Sequence, residues 1–259
     1  MRARTAGETA RAPTASDLGA VAALDLLRHI PDISPRRIGD LRGGPETDDG
    51  LLANRFPGAE IVPIEFAGAH GDDASRSFDR RGFQLSFGGG PPPREPFDLI
   101  FANGALDMLP CLGRLAPELL RLTKPGGLLA FQLPDNLHEP NRQLLRMVAV
   151  DGPWAKALIS VAKSRPFNAS IEELDLSLRP LCRSIEFWRT TYMHRPDNAA
   201  EIIAEMRKTS LAPFLQRLDS DMRVQFLQRY AAELTQAYPP RSNGKVLWKF
   251  PRIFFLARR

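Results

Sequence analysis

The sequence predicts an α/β fold, in which helices cover both faces of a mostly parallel, Rossmann-like sheet. Three observations lead to this prediction. Short buried apolar runs alternate with helical patterns, a glycine-rich turn follows the first of these runs, and no apolar run in the 259 residues is long enough to span a bilayer. In such a sheet a nucleotide-like ligand lies beyond the carboxyl ends of the strands.

Composition and charge limit the function. The hydrophobic share of 43% is ordinary for a globular core, and 259 residues fit one large domain with insertions better than two separate domains. The net charge of +5 comes from arginines scattered along the chain without a dense basic block. We therefore expect a small anionic substrate, and neither nucleic acid nor a membrane as partner. An arginine-rich composition without functional meaning is the alternative.

The two cysteines, Cys111 and Cys182, are far apart and lack the spacing of metal ligands. We expect two reduced thiols in a cytoplasmic protein, and no metal site.

The N-terminal region is predicted to consist of a tail and a helix. Residues 1–16 combine arginines with Thr, Ala, Gly and Pro and lack the apolar core of a secretory signal. We expect a disordered tail, with an organelle transit peptide as the alternative, and a single domain over 17–259. Apolar residues at helical spacing predict a helix from Asp17 to Ile30, with Ser16 as its N-cap.

The glycine-rich turn follows the first strand, which is predicted near 38–41. The strand, the turn and the helix after it predict that Asp40, Gly43 and Gly44 bind the ligand. Glu65 ends the second strand about 20 residues later, where an acidic residue suits two ribose hydroxyls. An ordinary solvated glutamate is the alternative reading of Glu65.

Three more strands are predicted, and the fourth and fifth belong with the first two to the mostly parallel part of the sheet. The third is predicted at 83–87 and the fourth at 97–103, where a buried apolar run ends on Asn103. Asn103 is therefore a further candidate for binding the ligand. A helix and a turn at 124–127 lead to the fifth strand, 127–133.

The alternation changes after residue 142. Helical patterns over about 142–180 and 195–240 predict helical lid insertions, with Trp154 as core packing of the lid. A strand at 184–192 lies between them, and strand patterns return at 246–256. We expect these last strands to form an antiparallel edge of the sheet.

Several stretches of the second half carry a family resemblance. They are FDLIFANGALDMLP (97–110), KPGGLLAFQLPDN (124–136), GPWAKAL (152–158), FWRTTYMH (187–194) and FPRIFFLARR (250–259). Over residues 97–259 the chain closely resembles the trans-aconitate 2-methyltransferase family, which consists of class I S-adenosylmethionine-dependent enzymes. Upstream, DLRGGPE (40–46) stands where the family has a D-L-G-C-G-x-G turn, and Glu65 stands at its ribose-binding acid.

This resemblance implies a Rossmann-like class I methyltransferase fold with S-adenosylmethionine as cofactor. It also implies methyl transfer to a carboxylate of a small, trans-aconitate-like polycarboxylic acid, giving a monomethyl ester. A carboxylate has a reference pKa of about 4 and is ionised at neutral pH, so no catalytic base is expected.

The chain departs from the family pattern mainly near the glycine turn. Arg42 and Glu46 replace turn glycines, Phe87 stands where the family places an Asp that reads the adenine amine, and Met108 replaces a Trp. The family's N-terminal Trp and Tyr have no counterpart in residues 1–16. Side chains at the glycine positions fill space that the methionine end of the cofactor needs, and Glu46 faces the cofactor's carboxylate as a like charge.

A tricarboxylate substrate needs fixed cations, and arginine is suited to bidentate pairing with carboxylates. The candidates for substrate binding are Arg189, Tyr192, His194, Lys249 and Arg252. Simple solvent exposure is the alternative for Arg189, and a surface or capping role is the alternative for His194. Arg252 lies in an apolar run after Pro251, where a charge is expected to have a partner.

Three hypotheses remain at the level of the sequence. The first is a methyltransferase that acts on a small polycarboxylate. The second is a protein that keeps the fold, has lost cofactor binding and serves as a binding or interaction module. The third is an enzyme that uses the same pocket for different chemistry on an anionic substrate.

Overall fold

The computed structural model describes residues 15–41, 50–66, 85–87, 95–104, 106, 112–163, 170–207 and 209–259. The predicted tail up to residue 14, the glycine turn with Gly43 and Gly44, Met108 and Cys111 lie outside these ranges. Cys182 is described and is a free thiol, and burial raises its pKa.

The helices follow the predicted order. They are α1 (Ala15–His29), α2 (Leu51–Arg55), α3 (Leu112–Arg121), α4 (Pro140–Val150), α5 (Ala155–Lys163), α6 (Ile171–Leu178), α7 (Ala199–Arg207), α8 (Ala212–Leu215) and α9 (Ser220–Ala237). Helix α1 begins at Ala15, so Ser16 lies inside the helix and is not its N-cap. The predicted helix itself is present, and it begins two residues before its predicted start.

The strands form one sheet. They are β1 (Arg37–Leu41), β2 (Glu60–Phe66), β3 (Leu85–Phe87), β4 (Phe97–Asn103), β5 (Thr123–Pro134), β6 (Ser184–His194) and β7 (Trp248–Arg258). Their order across the seven-stranded sheet is β3-β2-β1-β4-β5-β7-β6. Strand β1 pairs in parallel with β2 and β4, and β4 pairs in parallel with β5. Strand β7 runs antiparallel between β5 and β6, which confirms the predicted antiparallel edge.

The opposite edge of the sheet differs from a fully parallel arrangement. Strand β3 pairs antiparallel with β2, so that Phe87 lies beside Ile64. Phe87 is 8% exposed and stacks on Phe97 with ring centroids 6.3 Å apart. The Phe87 side chain therefore belongs to the core, where burial and stacking of its ring contribute to stability.

The sheet separates two hydrophobic clusters. On the face covered by α1, Leu26 and Leu52 pack against Phe101 and Phe254. On the face covered by α3 and α6, leucines of both helices pack against strand residues such as Phe255. Successive residues of a strand point to opposite faces, so these two clusters show which side chains of each strand face α1.

A third cluster, which we call the helical cluster, is built from α4, α5, α7, α8 and α9. Trp154 is 4% exposed, donates its indole hydrogen to the Val148 carbonyl at 2.6 Å and packs edge-on against Phe226. Trp154 thus has the core position expected of it. Helix α6 lies apart from this cluster, since Leu174 and Leu178 pack against the sheet. The action of the helical cluster as a lid stays a prediction.

Candidate functional site

The candidate site lies at the carboxyl ends of the parallel strands, on the face of the sheet that α1 covers. Strand parity places Asp40 of β1, Asn103 of β4, Gln132 of β5 and Arg252 of β7 on this same face. Asn103 is opposite Gln132 in the register of β4 and β5. The sheet therefore brings two predicted cofactor residues and one predicted substrate residue into a single row of polar side chains.

A chain of hydrogen bonds runs along this row. The Gln132 side chain donates from Nε2 to Asn103 Oδ1 at 2.6 Å and accepts from Arg252 Nη1 at its Oε1 at 2.9 Å. Gln132 is fully buried and Arg252 is 1% exposed. The Arg252 guanidinium also lies 5.6 Å from the ring centre of Phe250, which packs against the helical cluster. Arg252 is therefore located where the sheet meets the helical cluster.

Tyr192 connects this part of the sheet to α1. It belongs to the same face as Arg252, and its hydroxyl donates to Asp25 Oδ2 at 2.5 Å. Burial and the neighbouring Asp25 carboxylate raise the pKa of Tyr192, and the Arg252 charge opposes them with a smaller lowering effect. Beside this contact, His29 of α1 stacks on Trp188 with ring centroids 4.1 Å apart. Helix α1 is thus held against β6 by one hydrogen bond and one ring stack.

Arg189 lies on the opposite face of β6, because it is an odd number of residues from Tyr192. Its Nε atom pairs with Asp135 Oδ2 at 2.5 Å, and the Arg189 side chain is 57% exposed. Asp135 directly follows the end of β5, so this ion pair lies at the rim of the site. The arginine's charge is offset there by a carboxylate.

The other two predicted substrate residues lie further along the strands. His194 is buried and packs edge-on against Trp248 of the helical cluster, with ring centroids 5.8 Å apart. Lys249 is exposed and is opposite Met193 in the register of β6 and β7. The structure brings neither of them into the hydrogen-bonded row.

At the cofactor end, Asp40 is 5% exposed near the carboxyl end of β1. Glu65 is exposed near the end of β2, the neighbouring strand. Two acidic acceptors and the Asn103 amide therefore end three adjacent strands at the edge where a nucleotide-like ligand binds. This set of groups fits the hydroxyl and amino groups of an adenosine cofactor. The predicted contributions of Gly43 and Gly44 lie outside the described residues.

Comparison with known proteins identifies the family. Relatives named trans-aconitate 2-methyltransferase from Methylobacterium nodulans and Methylobacterium radiotolerans are each 40% identical to this chain, over 237 and 240 residues. Each alignment covers 92% of this chain and 92% of the relative. The chain belongs to the trans-aconitate 2-methyltransferase family.

This family membership agrees with the fold. The solved structure of the YcgJ protein from Bacillus subtilis covers 92% of this chain and 98% of its own, with a TM-score of 0.52 at 13% identity. At that identity the likeness shows the fold alone. No family model matches the chain. No helix in the described ranges is both long and apolar enough to cross a membrane.

As a member of the trans-aconitate 2-methyltransferase family, the protein is an S-adenosylmethionine-dependent methyltransferase. This finding confirms S-adenosylmethionine as the cofactor. It does not favour the two alternatives in which the fold has lost its cofactor or performs different chemistry.

Sequence reasoning did not select Gln132 or Asp25. Gln132 carries a signal that could have been used, because it is a polar residue inside the apolar run 128–133 of a central strand. It also lies opposite Asn103 in the register of β4 and β5. Asp25 carries no such signal, since a charged residue on an amphipathic helix is ordinary.

Proposed function

We propose that the protein transfers the methyl group of S-adenosylmethionine to a carboxylate of a small, trans-aconitate-like polycarboxylic acid and releases the monomethyl ester. The name of the 40% identical relatives supports this substrate class. The observation that carries the proposal is Arg252, a buried guanidinium beside the helical cluster and in line with Asn103.

The proposed division of the site follows the order of the strands. Asp40, Glu65 and Asn103, with the backbone at Gly43 and Gly44, bind the cofactor. Arg252 and Tyr192 bind the substrate at the other end of the row. Asn103 and Arg252 are joined through one side chain, which keeps the two ligands adjacent.

The chemistry needs no proton transfer. The cofactor supplies a methyl group on a positively charged sulfur. A lone pair of the substrate carboxylate forms the new carbon–oxygen bond, and the electrons of the breaking carbon–sulfur bond remain on sulfur. The protein's residues contribute by aligning the carboxylate oxygen with the methyl group and by excluding water. The proposed reaction therefore assigns no residue as a catalytic base.

Arg252 suits substrate binding for two reasons. A guanidinium presents parallel N–H donors that match the two oxygens of a carboxylate. Burial strengthens such a contact, because the surrounding medium screens it less than water does. The same burial means that a substrate reaches Arg252 only when the groups that cover it move. Arg189, His194 and Lys249 remain predicted contacts to the substrate's outer carboxylates.

Incubation of the purified protein with S-adenosylmethionine and trans-aconitate tests the proposal, with the products analysed by mass spectrometry. We expect a monomethyl ester to accumulate together with the demethylated cofactor. The fully esterified triester of trans-aconitate is the matched control, because it lacks an ionised carboxylate for Arg252 and for the reaction. Absence of ester from the free acid, with cofactor binding shown by calorimetry, would contradict the proposed substrate class.

A further inference from the structure

Gln132 occupies the centre of the hydrogen-bonded row and contacts both of its ends. Its Nε2 atom lies 2.6 Å from Asn103 Oδ1, and its Oε1 atom lies 2.9 Å from Arg252 Nη1. The side chain is fully buried in β5, between the strand that ends on Asn103 and the strand that carries Arg252. Gln132 is thus placed to determine the position of both neighbours.

Arg252 fixes the direction of these bonds. A guanidinium can only donate hydrogen bonds, so the Gln132 oxygen must face Arg252 and its NH₂ group must face Asn103. Asn103 then accepts with its own oxygen and turns its Nδ2 donor away from Gln132. One arginine therefore sets the orientation of two amides in succession, up to the strand end where the cofactor binds.

The choice of glutamine has a consequence for charge. A neutral amide oxygen can hold a guanidinium in place without cancelling its charge, whereas a carboxylate at the same position would form an ion pair with it. A guanidinium that is paired with a carboxylate at this position has less affinity for an incoming carboxylate than one held by an amide. Glutamine is nearly identical to glutamate in shape, so the neutral amide is the property that distinguishes them here.

We propose that Gln132 is a positioning residue, which holds the Arg252 guanidinium charged and oriented for a substrate carboxylate and links it to Asn103 at the cofactor end. This inference rests on the proposed function, since it takes Arg252 as the group that receives the substrate. Gln132 lies in the stretch 124–136 that carries the family resemblance, but the resemblance assigned it no role.

The variant Gln132→Glu tests the inference, because it keeps the shape of the side chain and neutralises Arg252. We expect the dissociation constant for trans-aconitate, measured by calorimetry with the demethylated cofactor bound, to rise about tenfold or more, as expected when a charge-assisted hydrogen bond is lost. The dissociation constant for the demethylated cofactor should change less than that for trans-aconitate, because the glutamate carboxylate can still accept from Asn103 Nδ2 once the Asn103 amide has turned over. The nearly isosteric Gln132→Met variant removes both hydrogen bonds without adding a charge and should weaken trans-aconitate less than Gln132→Glu does.

Gln143→Glu is the matched control, since Gln143 is exposed on α4 and the variant makes the same change in net charge. It should leave both dissociation constants unchanged. A purely structural role of Gln132 would instead lower the melting temperature and weaken both ligands together, in Gln132→Met at least as much as in Gln132→Glu. That result, or unchanged affinity for trans-aconitate in Gln132→Glu, overturns the inference alone. Failure of the wild-type protein to bind trans-aconitate overturns the proposed substrate class and, with it, the task assigned to Gln132.

Discussion

The cofactor end and the substrate end of the site are built on different kinds of scaffold. The cofactor end rests on shorter strands, since β1, β2 and β4 have 5, 7 and 7 residues. The substrate end rests on β5, β6 and β7, which have 12, 11 and 11 residues. In a long paired strand, the register with its neighbours determines the position of every side chain. A turn has no such register, so its side chains are positioned less strictly.

This difference affects how each end tolerates substitution. At the substrate end, Arg252 and Tyr192 are held by continuous antiparallel pairing of β6 with β7. At the cofactor end, the departures Arg42 and Glu46 belong to the predicted glycine turn, outside the described residues, where we expect a change of side chain to alter ligand contact without breaking strand pairing. We therefore expect substitutions at the two ends to separate into effects on the substrate and effects on the cofactor.

The largest expected effect concerns the helical cluster behind the substrate end. Trp154→Ala removes a buried indole and its hydrogen bond to Val148, and should lower the free energy of unfolding by about 3–5 kcal/mol. Chemical denaturation of the variant checks this value. Met147→Ala, at a 42% exposed position on α4, is the control and should change stability little. An equal loss in both variants would show that the cluster is not a packed core.

Restoring the turn glycines should strengthen cofactor binding. The double variant Arg42→Gly/Glu46→Gly removes bulk and a like charge near the cofactor's carboxylate, and each change is expected to contribute about 1–3 kcal/mol. Calorimetric titration with S-adenosylmethionine measures the gain. Affinity for trans-aconitate should change less than affinity for the cofactor. Weaker cofactor binding in the double variant would show that these two residues form contacts of another kind.

The contact between α1 and β6 should contribute less. Tyr192→Phe removes the hydrogen bond to Asp25, which should lower the free energy of unfolding by about 1–3 kcal/mol, toward the lower end because the Asp25 side chain is 25% exposed. The effect of pH follows from the raised pKa of Tyr192, since the folded state keeps the hydroxyl protonated when the unfolded state loses its proton. The contribution of the Tyr192 hydroxyl to the free energy of unfolding is therefore fully present below about pH 10 and is lost as pH rises above it.

Thermal melting at pH 8 to 11 follows this decline. Burial also raises the pKa values of Tyr230 and Tyr238, the chain's other two tyrosines, to about 12 for Tyr238. Tyr192→Phe should therefore keep part of the alkaline loss and show a shallower slope than the wild type. An identical slope would show that the pKa of Tyr192 is not raised in the folded protein by burial or by the Asp25 contact.

The smallest effects are expected at the rim. Arg189→Ala breaks an ion pair whose arginine is 57% exposed, so the free energy of unfolding should fall by about 1 kcal/mol or less. Lys249→Ala, at an exposed position, should change it less still. Denaturation midpoints check both values. Calorimetry with trans-aconitate tests the predicted contacts of the two side chains with the substrate's outer carboxylates: weaker binding in a variant would support its contact, and unchanged binding would contradict it.

The sequence was informative where strands determine position. Apolar runs predicted β1, β2, β4 and β5. Asn103 ends β4, and Arg252 lies within β7 opposite Pro134, the last residue of β5, so both are near the edge where a ligand is expected to bind. The sequence could not decide whether Arg189 faces the site or solvent, because strand alternation does not show which face of β6 meets α1. The antiparallel pairing of β3 could not be foreseen, since three residues carry too little pattern to fix a direction. Contacts across long separations, such as Tyr192 with Asp25, depend on tertiary packing that no local pattern contains.

The central claim is that Arg252 binds a substrate carboxylate while the cofactor binds at the other end of the row. Calorimetric titration of Arg252→Ala with trans-aconitate and with the demethylated cofactor, alongside the wild type, tests it most directly. We expect binding of trans-aconitate to weaken by about 1.5–3 kcal/mol, the range of a charge-assisted hydrogen bond, and binding of the cofactor to change less. A lower melting temperature with unchanged affinity for trans-aconitate would contradict the claim, because Arg252 would then be a structural cation held by Gln132.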